Sequence, residues 1–416
     1  MQRTAWGRTA AAVLSMGLMA AAAQAQTAVK IGCLLPLTGG SASVGNQLRV
    51  GITAAADQIN QAGGIKAMGG AKLNVLFADS QSKADVGVSE TERLIKSENV
   101  SVMCGAFNSA VTFPSTEVAE RNKTPWIVAS AVKDEITERN FKYVFRPNNK
   151  ASFDSREVVD GLELLKKETG KGPSRIALFY EGSDWGRSFA ANIKKLGAQL
   201  KYEVVFDEAA PPNQTDFTSQ LLKVRGAKPD ALIVAFYTPD QLLLTKQLAE
   251  QRLELPYGLW SAGGGTEDPS FYKAVDPKQV AYYFVQEDYQ IDILEVNPQP
   301  AYVELDKKTQ AALGHGLNAY VAQGYSNVYV IADALERARS ADRDKIRDAL
   351  AATDISSGPA LITGYQRIQF DEQGQNTHAH GVISENIGGK RRTVWPAESR
   401  AKDTRPVWPV PAWSKR

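Results

Sequence analysis

The chain has few histidines and cysteines, the side chains that most often bind zinc and other transition metals. Its 416 residues include three histidines and two cysteines, too few for the common Cys/His metal centres. It contains no G-x-S-x-G nucleophile elbow, no P-loop and no H-E-x-x-H helix. His378 and His380 lack a cysteine or a cluster of acids beside them, so we interpret them as exposed loop residues rather than metal ligands. The sequence therefore predicts no enzyme, no metal site and no cofactor.

An excess of one charge and long apolar runs are also missing from the body of the chain. The sequence has 48 Lys and Arg against 46 Asp and Glu, so nothing indicates a nucleic-acid-binding surface. The one apolar run follows Arg3 and Arg8 and ends in Ala23-Gln24-Ala25, which is typical of a secretory signal peptide. We expect residues 1–25 to be cleaved, leaving a soluble periplasmic chain; a short membrane anchor is the alternative.

The two cysteines, Cys33 and Cys104, both fall in apolar runs that predict buried strands. A free cysteine behaves in such a place as a small apolar side chain, and strand interiors seldom offer the geometry of a disulfide. Free thiols are therefore favoured, while a disulfide in an oxidising compartment stays open as the alternative.

Short apolar runs alternate with amphipathic segments, which is the pattern of βαβ units with parallel sheets. The first series runs from VKIGCLLPL (29–37) to PWIVAS (125–130), and a second series of similar order runs from SRIALFY (174–180) to YGLWSAGGG (257–265). About 390 mature residues exceed one ordinary core. The sequence therefore predicts an α/β protein with two similar Rossmann-like lobes.

The last part of the chain has a different character. NAYVAQGYSNVYVIADALERA (318–338) predicts a long helix. From Lys390 onwards there are eight basic and two acidic residues, with Trp395, Trp408, Trp413 and four prolines. This mixture favours an extended strap over a surface, and a basic partner-docking tail is the alternative.

Small, hydroxyl-bearing and aromatic residues follow the predicted strands of both series. In open α/β sheets ligands bind beyond the carboxyl ends of the strands. The segments at these ends are 38–45, 107–112 and 129–132 in the first series and 181–186, 236–241 and 261–265 in the second. Ser109 could simply cap a helix, and Trp185 and Tyr237 could cover a surface or a turn. Together they favour a cleft with an anion-binding wall and an apolar wall.

The chain resembles, along nearly its whole mature length, the periplasmic leucine/isoleucine/valine-binding proteins of ABC importers, which have the type I periplasmic-binding fold. The matching stretches are VKIGCLLPLTGGSASVGNQLRVGITAAADQINQAGGI, GAFNSAVTFPSTEVAERNKTPWIVASA, LFYEGSDWGRS, GYSNVYVIADALERA and RIQFDEQGQ. The resemblance implies two lobes joined by a three-strand hinge. The expected lobes are 26–146 with 284–374 and 147–283 with 375–416.

The resemblance also implies which residues of the first lobe touch the ligand. Ser109, beside Asn108, would hold the ligand's carboxylate together with nearby backbone N–H groups. The next strand end would contribute Ser130 and Val132, where valine replaces the family's usual threonine.

In the second lobe the resemblance implies two aromatic contacts, Trp185 and Tyr237. The acid that holds an amino acid's ammonium group would lie at about Ala262, next to Gly263, and no acid is present there. A buried ammonium without an acidic partner is costly.

The missing acid favours a ligand without an amino group, such as an aromatic carboxylate. An apolar or branched-chain amino acid, or an amide-like solute, is the alternative if Asp184 or Glu267 supplies the charge. We expect a monomer, with a weak dimer as the alternative, that delivers its ligand to a membrane ABC permease. A periplasmic ligand sensor is the other class of function to consider.

Overall fold

Two β-sheets with helices on their faces make up the computed structural model, which describes residues 28–296 and 298–416. This arrangement confirms the predicted α/β class with two lobes. The predicted signal peptide lies outside the described residues. No helix within those ranges is long and apolar enough to cross a membrane.

The first sheet consists of five parallel strands in the order β2-β1-β3-β4-β5. Its strands are β1 (Val29–Leu35), β2 (Leu73–Asp79), β3 (Val102–Gly105), β4 (Trp126–Val128) and β5 (Val144–Phe145). The helices of this part of the chain are α1 (Ala42–Gln61), α2 (Ala84–Glu92) and α3 (Ser109–Arg121). The strands are apolar almost throughout because helices cover both faces of a parallel sheet.

The second sheet has seven strands in the order β14-β13-β10-β9-β8-β6-β7. Its strands are β6 (Arg175–Glu181), β7 (Glu203–Ala210), β8 (Ala231–Ala235), β9 (Leu259–Ser261), β10 (Phe284–Glu287), β13 (Val382–Ile387) and β14 (Lys390–Trp395). The helices of this part of the chain are α4 (Ala151–Thr169), which precedes β6, and α5 (Asp184–Gln199), α6 (Thr218–Ala227), α7 (Thr238–Gln251) and α8 (Pro269–Lys273).

The remaining elements lie between β10 and β13 in the chain and return to the first sheet. They are α9 (Ile293–Val296), α10 (Pro300–Leu313), α11 (Ala319–Ala338), α12 (Arg343–Ala351) and the short antiparallel pair β11 (Asp354–Ile355) and β12 (Ile368–Gln369). Helix α11 packs closely on α1, because a Cβ on Gly51 would lie 2.0 Å from the Val321 carbonyl oxygen. The chain thus crosses between the sheets three times, after β5, β10 and β12.

Three details differ from the sequence-based expectations. Strand β10 pairs with β9 and β13, so residues 284–287 belong with the second sheet and not with the first lobe. The second sheet is not wholly parallel, because the Gly388-Gly389 turn, with φ of 58° and 78°, folds β13 and β14 into an antiparallel hairpin. Residues 390–395, predicted as part of the strap, are therefore the edge strand β14.

The rest of the tail, residues 396–416, does form the predicted strap. The Trp408 ring packs against Tyr257 and Phe284, with ring centroids 4.8 and 5.7 Å apart. The indole nitrogen of Trp413 donates to the Leu253 carbonyl oxygen at 2.7 Å. These contacts fix the strap to the second sheet and its helices.

Cys33 and Cys104 form a disulfide, so the preference for free thiols was wrong. Strands β1 and β3 are adjacent, and their register places these two residues directly opposite each other. Neighbouring parallel strands can bring two cysteines within bonding distance only when the register aligns them, and the sequence alone does not reveal that register.

Candidate functional site

A small cavity lies between the two sheets, at the carboxyl ends of their strands. Its lining comprises Phe107, Ser109, Ser130, Val132, Asp154, Trp185, Tyr237, Ala262, Gly264, Glu267, Gln286, Asp288 and Tyr320. Six of the eight residues expected to contact a ligand are among them. The two exceptions, Asn108 and Gly263, lie beside the lining rather than in it.

The cavity has a volume of about 30 Å³, which is room for about two water molecules. A solute of amino-acid size therefore needs the two walls to separate before it can enter. A larger cavity of about 660 Å³ is lined mainly by residues 289–302 and 357–366, and it shares Asp288 with the smaller one. It contains none of the residues at the ends of the parallel strands that the sequence pointed to.

Ser109 is the first residue of α3 and is almost fully buried, with 1% exposure. The preceding Asn108 makes no side-chain cap to the helix and instead donates its Nδ2 to Ser41 Oγ at 2.9 Å. Ser109 Oγ accepts the Lys133 backbone N–H at 3.2 Å. Capping therefore does not account for Ser109, which lines the cavity at the positive end of a helix.

Tyr237 reaches from the second sheet to this same helix end. Burial raises its pKa most, followed by the charge of Glu181, while hydrogen bonds from Asn108 and the Ser109 N–H act in the opposite direction. The tyrosine hydroxyl thus lies near the groups expected to hold a ligand's carboxylate.

Aromatic rings form most of the apolar surface of the cavity. The Tyr237 ring centroid lies 4.8 Å from that of Trp185 and 5.3 Å from that of Phe107. Phe107 also meets Tyr320 edge-on at 5.5 Å. The Trp185 ring rests on the backbone of Gly264, where a Cβ would lie only 2.4 Å from Trp185 Cη2. A glycine at this position lets the tryptophan lie flat on the wall.

Direct contacts between the two sides hold the cavity closed. Asp268 of the second side accepts from Ser43 Oγ and Gln47 Nε2 of α1, both at 3.0 Å. The Tyr320 hydroxyl donates to the Gly264 carbonyl oxygen at 2.8 Å. Hydrogen bonds of this kind break when the two sheets move apart.

Three acidic side chains are part of the cavity lining. Glu267, named from the sequence as a possible ammonium partner, lies in the lining, as do Asp154 and Asp288. Asp184, the other candidate, is not in the lining and pairs with Lys133 at 2.7 Å. Burial raises the pKa values of all three lining carboxyls.

The sequence interpretation missed Asp154 and Asp288. Asp288 directly follows β10, so applying the strand-end rule to this strand would have found it. Asp154 lies in the first turn of α4, and no motif distinguishes it there from any acid that stabilises a helix start.

None of the three histidines lines the small cavity. His378 Nε2 lies 3.4 Å from Gln369 Oε1. Within residues 28–296 and 298–416 no group of three or more His, Cys, Asp and Glu side chains is arranged to hold a metal ion.

Comparison with known proteins gives the family context of this site. The model of the periplasmic binding protein family matches residues 28–383. Leu/Ile/Val-binding protein homolog 7 of Brucella suis biovar 1 is 29% identical over 401 residues, which cover 93% of this chain and 96% of that protein.

Solved structures show the same fold at lower identity. The branched-chain amino acid transporter substrate-binding protein of Streptococcus pneumoniae, in complex with isoleucine, has a TM-score of 0.75 and 21% identity, and the match covers 88% of this chain and 99% of that one. An ABC transporter solute-binding protein of R. palustris, in complex with benzoate, has a TM-score of 0.74 and 22% identity, with 88% and 95% coverage.

Proposed function

The chain belongs to the periplasmic binding protein family, and from this premise we propose that it captures an apolar or aromatic amino acid and delivers it to the membrane permease of an ABC importer. The polarity of the cavity lining is the observation that supports this class of ligand. The lining combines Ser109 at the start of α3, three acids that include Glu267, and four aromatic rings. A zwitterion with an apolar side chain matches all three kinds of group.

Glu267 changes the argument that favoured a ligand without an amino group. That argument rested on the absence of an acid at Ala262 and Gly263. Glu267 follows a few residues later and lies in the lining, so an ammonium group there has a partner. The predicted roles of Ser130, Val132, Trp185 and Tyr237 as ligand contacts are part of this proposal.

Capture would proceed by hinge closure. With the lobes apart, Tyr237 has moved away from the start of α3, and the solute's carboxylate binds Ser109 Oγ and the first N–H groups of this helix. Closure then brings the ring of Trp185 and the Glu267 carboxylate onto the solute. Because the solute touches both sides, it stabilises the closed state relative to the open one.

An aromatic carboxylate without an amino group is a second candidate. It is favoured by the aromatic wall and by the benzoate complex of the R. palustris protein, whose fold is the same. In this case the carboxyls of the cavity lining would have to remain protonated.

Calorimetric titration distinguishes the candidates when the protein has been unfolded and refolded to remove co-purified solute. We expect leucine and phenylalanine to bind and benzoate to bind far more weakly or not at all. The substitution Glu267→Gln should weaken amino-acid binding. Tight benzoate binding without any amino-acid binding would replace the first candidate with the second.

A further inference from the structure

Four buried carboxyl groups meet where the three crossings pass between the sheets. We call these four the hinge carboxylate cluster: Asp154, Glu157, Glu267 and Asp288. All are between 2% and 6% exposed. Asp288 lies on the second crossing. Asn149 on the first crossing donates Nδ2 to Asp288 Oδ1 at 3.2 Å, and Gly381 on the third donates its N–H to Glu157 at 2.6 Å. A hinge rotation therefore alters the surroundings of the cluster.

Neutral groups supply the hydrogen bonds that the cluster receives within the described ranges. Gln286 Nε2 lies 3.0 Å from Glu157 Oε2 and 3.1 Å from Asp288 Oδ1. Gln323 Nε2 lies 3.0 Å from Asp288 Oδ2. The Asp288 N–H donates to Glu267 at 2.8 Å. Amide donors orient carboxylates but leave their charge uncompensated.

The buried arginines of this region have other partners. Arg391 pairs with Glu287 at 3.1 Å. Arg146 donates Nε to Gln375 at 2.6 Å and Nη2 to Thr137 at 2.9 Å. No cluster member forms an ion pair with a side chain in the part of the chain that is described.

Two buried acceptors beside the cluster also lack donors. Asn149 Oδ1 and Gln323 Oε1 are fully buried, and neither accepts a hydrogen bond from the described residues. Leaving such atoms unpaired costs free energy. Together with the carboxylates they form a region rich in acceptors and short of positively charged donors.

Burial is the largest cause of a raised pKa in each of the four groups, and it raises the pKa of Glu157 to about 8. The negative charge of Asp288 further raises the pKa of Asp154. The other titratable or charged groups that face the cluster are Arg146, Asp268, Glu287, Tyr320, Tyr365 and Arg391. Because the four carboxyls interact, they bind protons as a group.

We propose that the hinge carboxylate cluster recognises the cationic group of the solute and exchanges it for a proton, so that closure depends on the solute's charge. This inference rests on the proposed function and adds Asp154, Glu157 and Asp288 as residues that determine specificity. Glu157 lies behind the lining and acts through its shared donors, Asn149 and Gln286.

The exchange follows from the cost of burying like charges. The cluster of the ligand-free protein therefore holds a proton, because several neighbouring carboxylates cannot all remain ionised in a buried site of low dielectric constant. An ammonium group removes that requirement: it donates N–H bonds to the carboxylates, and the proton is released to water. A solute with the same carbon skeleton but no ammonium group does not offset the free-energy cost of burying the carboxylates.

Calorimetry of the wild-type protein tests this with two matched pairs, leucine with isocaproate and phenylalanine with hydrocinnamate, which differ by the amino group. Titrations in buffers of different ionisation enthalpy measure the protons released, below about pH 7 so that the α-amino group stays charged. We expect release of up to about one proton per bound amino acid, and affinity that falls as the pH is lowered. The acids should bind about 30-fold more weakly or worse.

Single substitutions test whether the hinge carboxylate cluster is the source of the released proton. Glu157→Gln and Asp154→Asn should each reduce proton release and flatten the pH dependence. Glu385→Gln is the matched control: burial also raises the pKa of Glu385 to about 8, but it lies in β13 and accepts from Val407 in the strap. It should leave proton release unchanged.

The outcomes separate this inference from the proposed function. Amino-acid binding without proton release or pH dependence contradicts the exchange and leaves the proposed function standing. Binding of the acids and not the amino acids contradicts both. Proton release by the wild-type protein tests the exchange even if a cluster variant fails to fold.

Discussion

Lys133 Nζ lies 2.7 Å from a carboxylate oxygen of Asp184, and this ion pair joins the two sides of the cleft. Lys133 follows β4 of the first sheet, and Asp184 is the first residue of α5 beside the second sheet. The backbone N–H of the same lysine donates to Ser109 Oγ. Lys133 thus positions the proposed carboxylate-binding hydroxyl and also stabilises the contact between the two sides of the cleft.

Lys133→Met should weaken binding of the cognate amino acid by about 2- to 5-fold, because a partly exposed ion pair contributes up to about 1 kcal/mol. The methionine keeps most of the apolar stem. The effect should shrink at high salt. Lys194→Met is the control, since its ion pair with Asp207 at 2.7 Å lies wholly on the second side; equal losses in both variants would contradict a role in closure.

Ser109→Ala should reduce affinity by about 10-fold or more, as expected for loss of a hydrogen bond to a charged carboxylate. Thermal unfolding should change little. Ser115→Ala on the same helix is the matched control, because Ser115 Oγ is also buried and has no hydrogen-bond partner among the described residues. Unchanged affinity in the Ser109 variant would limit that serine to a structural role.

Gly264→Ala should reduce both stability and affinity. Its Cβ would lie 2.4 Å from the Trp185 ring, and its φ of +55° disfavours a side chain, so the tryptophan must shift into the cavity. Gly389→Ala has a similar positive φ of +78° but open space around the new Cβ. The Gly389 variant therefore measures backbone strain alone, about 1 kcal/mol, without any displacement of the Trp185 ring. Equal affinity in the two variants would exclude Trp185 as a ligand contact.

Replacing both Cys33 and Cys104 by alanine should lower the free energy of unfolding by about 2–4 kcal/mol, since the bond closes a loop with a sequence separation of 71. Urea unfolding with and without a reductant measures this. Affinity should remain within about 2-fold, because neither cysteine lines the cavity. A reductant-insensitive midpoint in the wild type would contradict the bond.

Glu385 should make the protein less stable as the pH rises. Burial raises its pKa to about 8, so the folded state holds a proton that the unfolded chain releases near pH 4.3. This contribution is full below the unfolded pKa and is lost as the pH rises through about 8, with a slope of up to about 1.4 kcal/mol per pH unit. Urea unfolding of Glu385→Gln should show a flatter pH dependence than the wild type; parallel curves would contradict the prediction.

The sequence predicted the sheets well where strands are buried on both faces, because such strands are continuous apolar runs. Strand β14, KRRTVW, was missed because an edge strand tolerates charges that also occur in tails. The boundary at residue 284 failed for a related reason: a four-residue strand directly before a crossing has no local signal for the sheet that it joins.

The cleft residues that directly follow strand ends could be predicted from the sequence. Ser109, Ser130, Trp185 and Tyr237 all lie at such positions. Glu157 does not, since it lies within α4 and meets Gly381, more than two hundred residues away, only after the third crossing. Groups that meet through long-range topology leave no periodic or local trace in a sequence.

Because the strap packs on the second sheet, its distance from the first sheet would change with the proposed hinge opening. Trp413 is fixed to the Leu253 carbonyl oxygen, whereas Val29 begins β1 in the first sheet. Probes attached near these two positions travel with different lobes. The distance between the two probes would therefore measure hinge motion directly. It would distinguish a solute that binds in the open cleft from a solute that closes it.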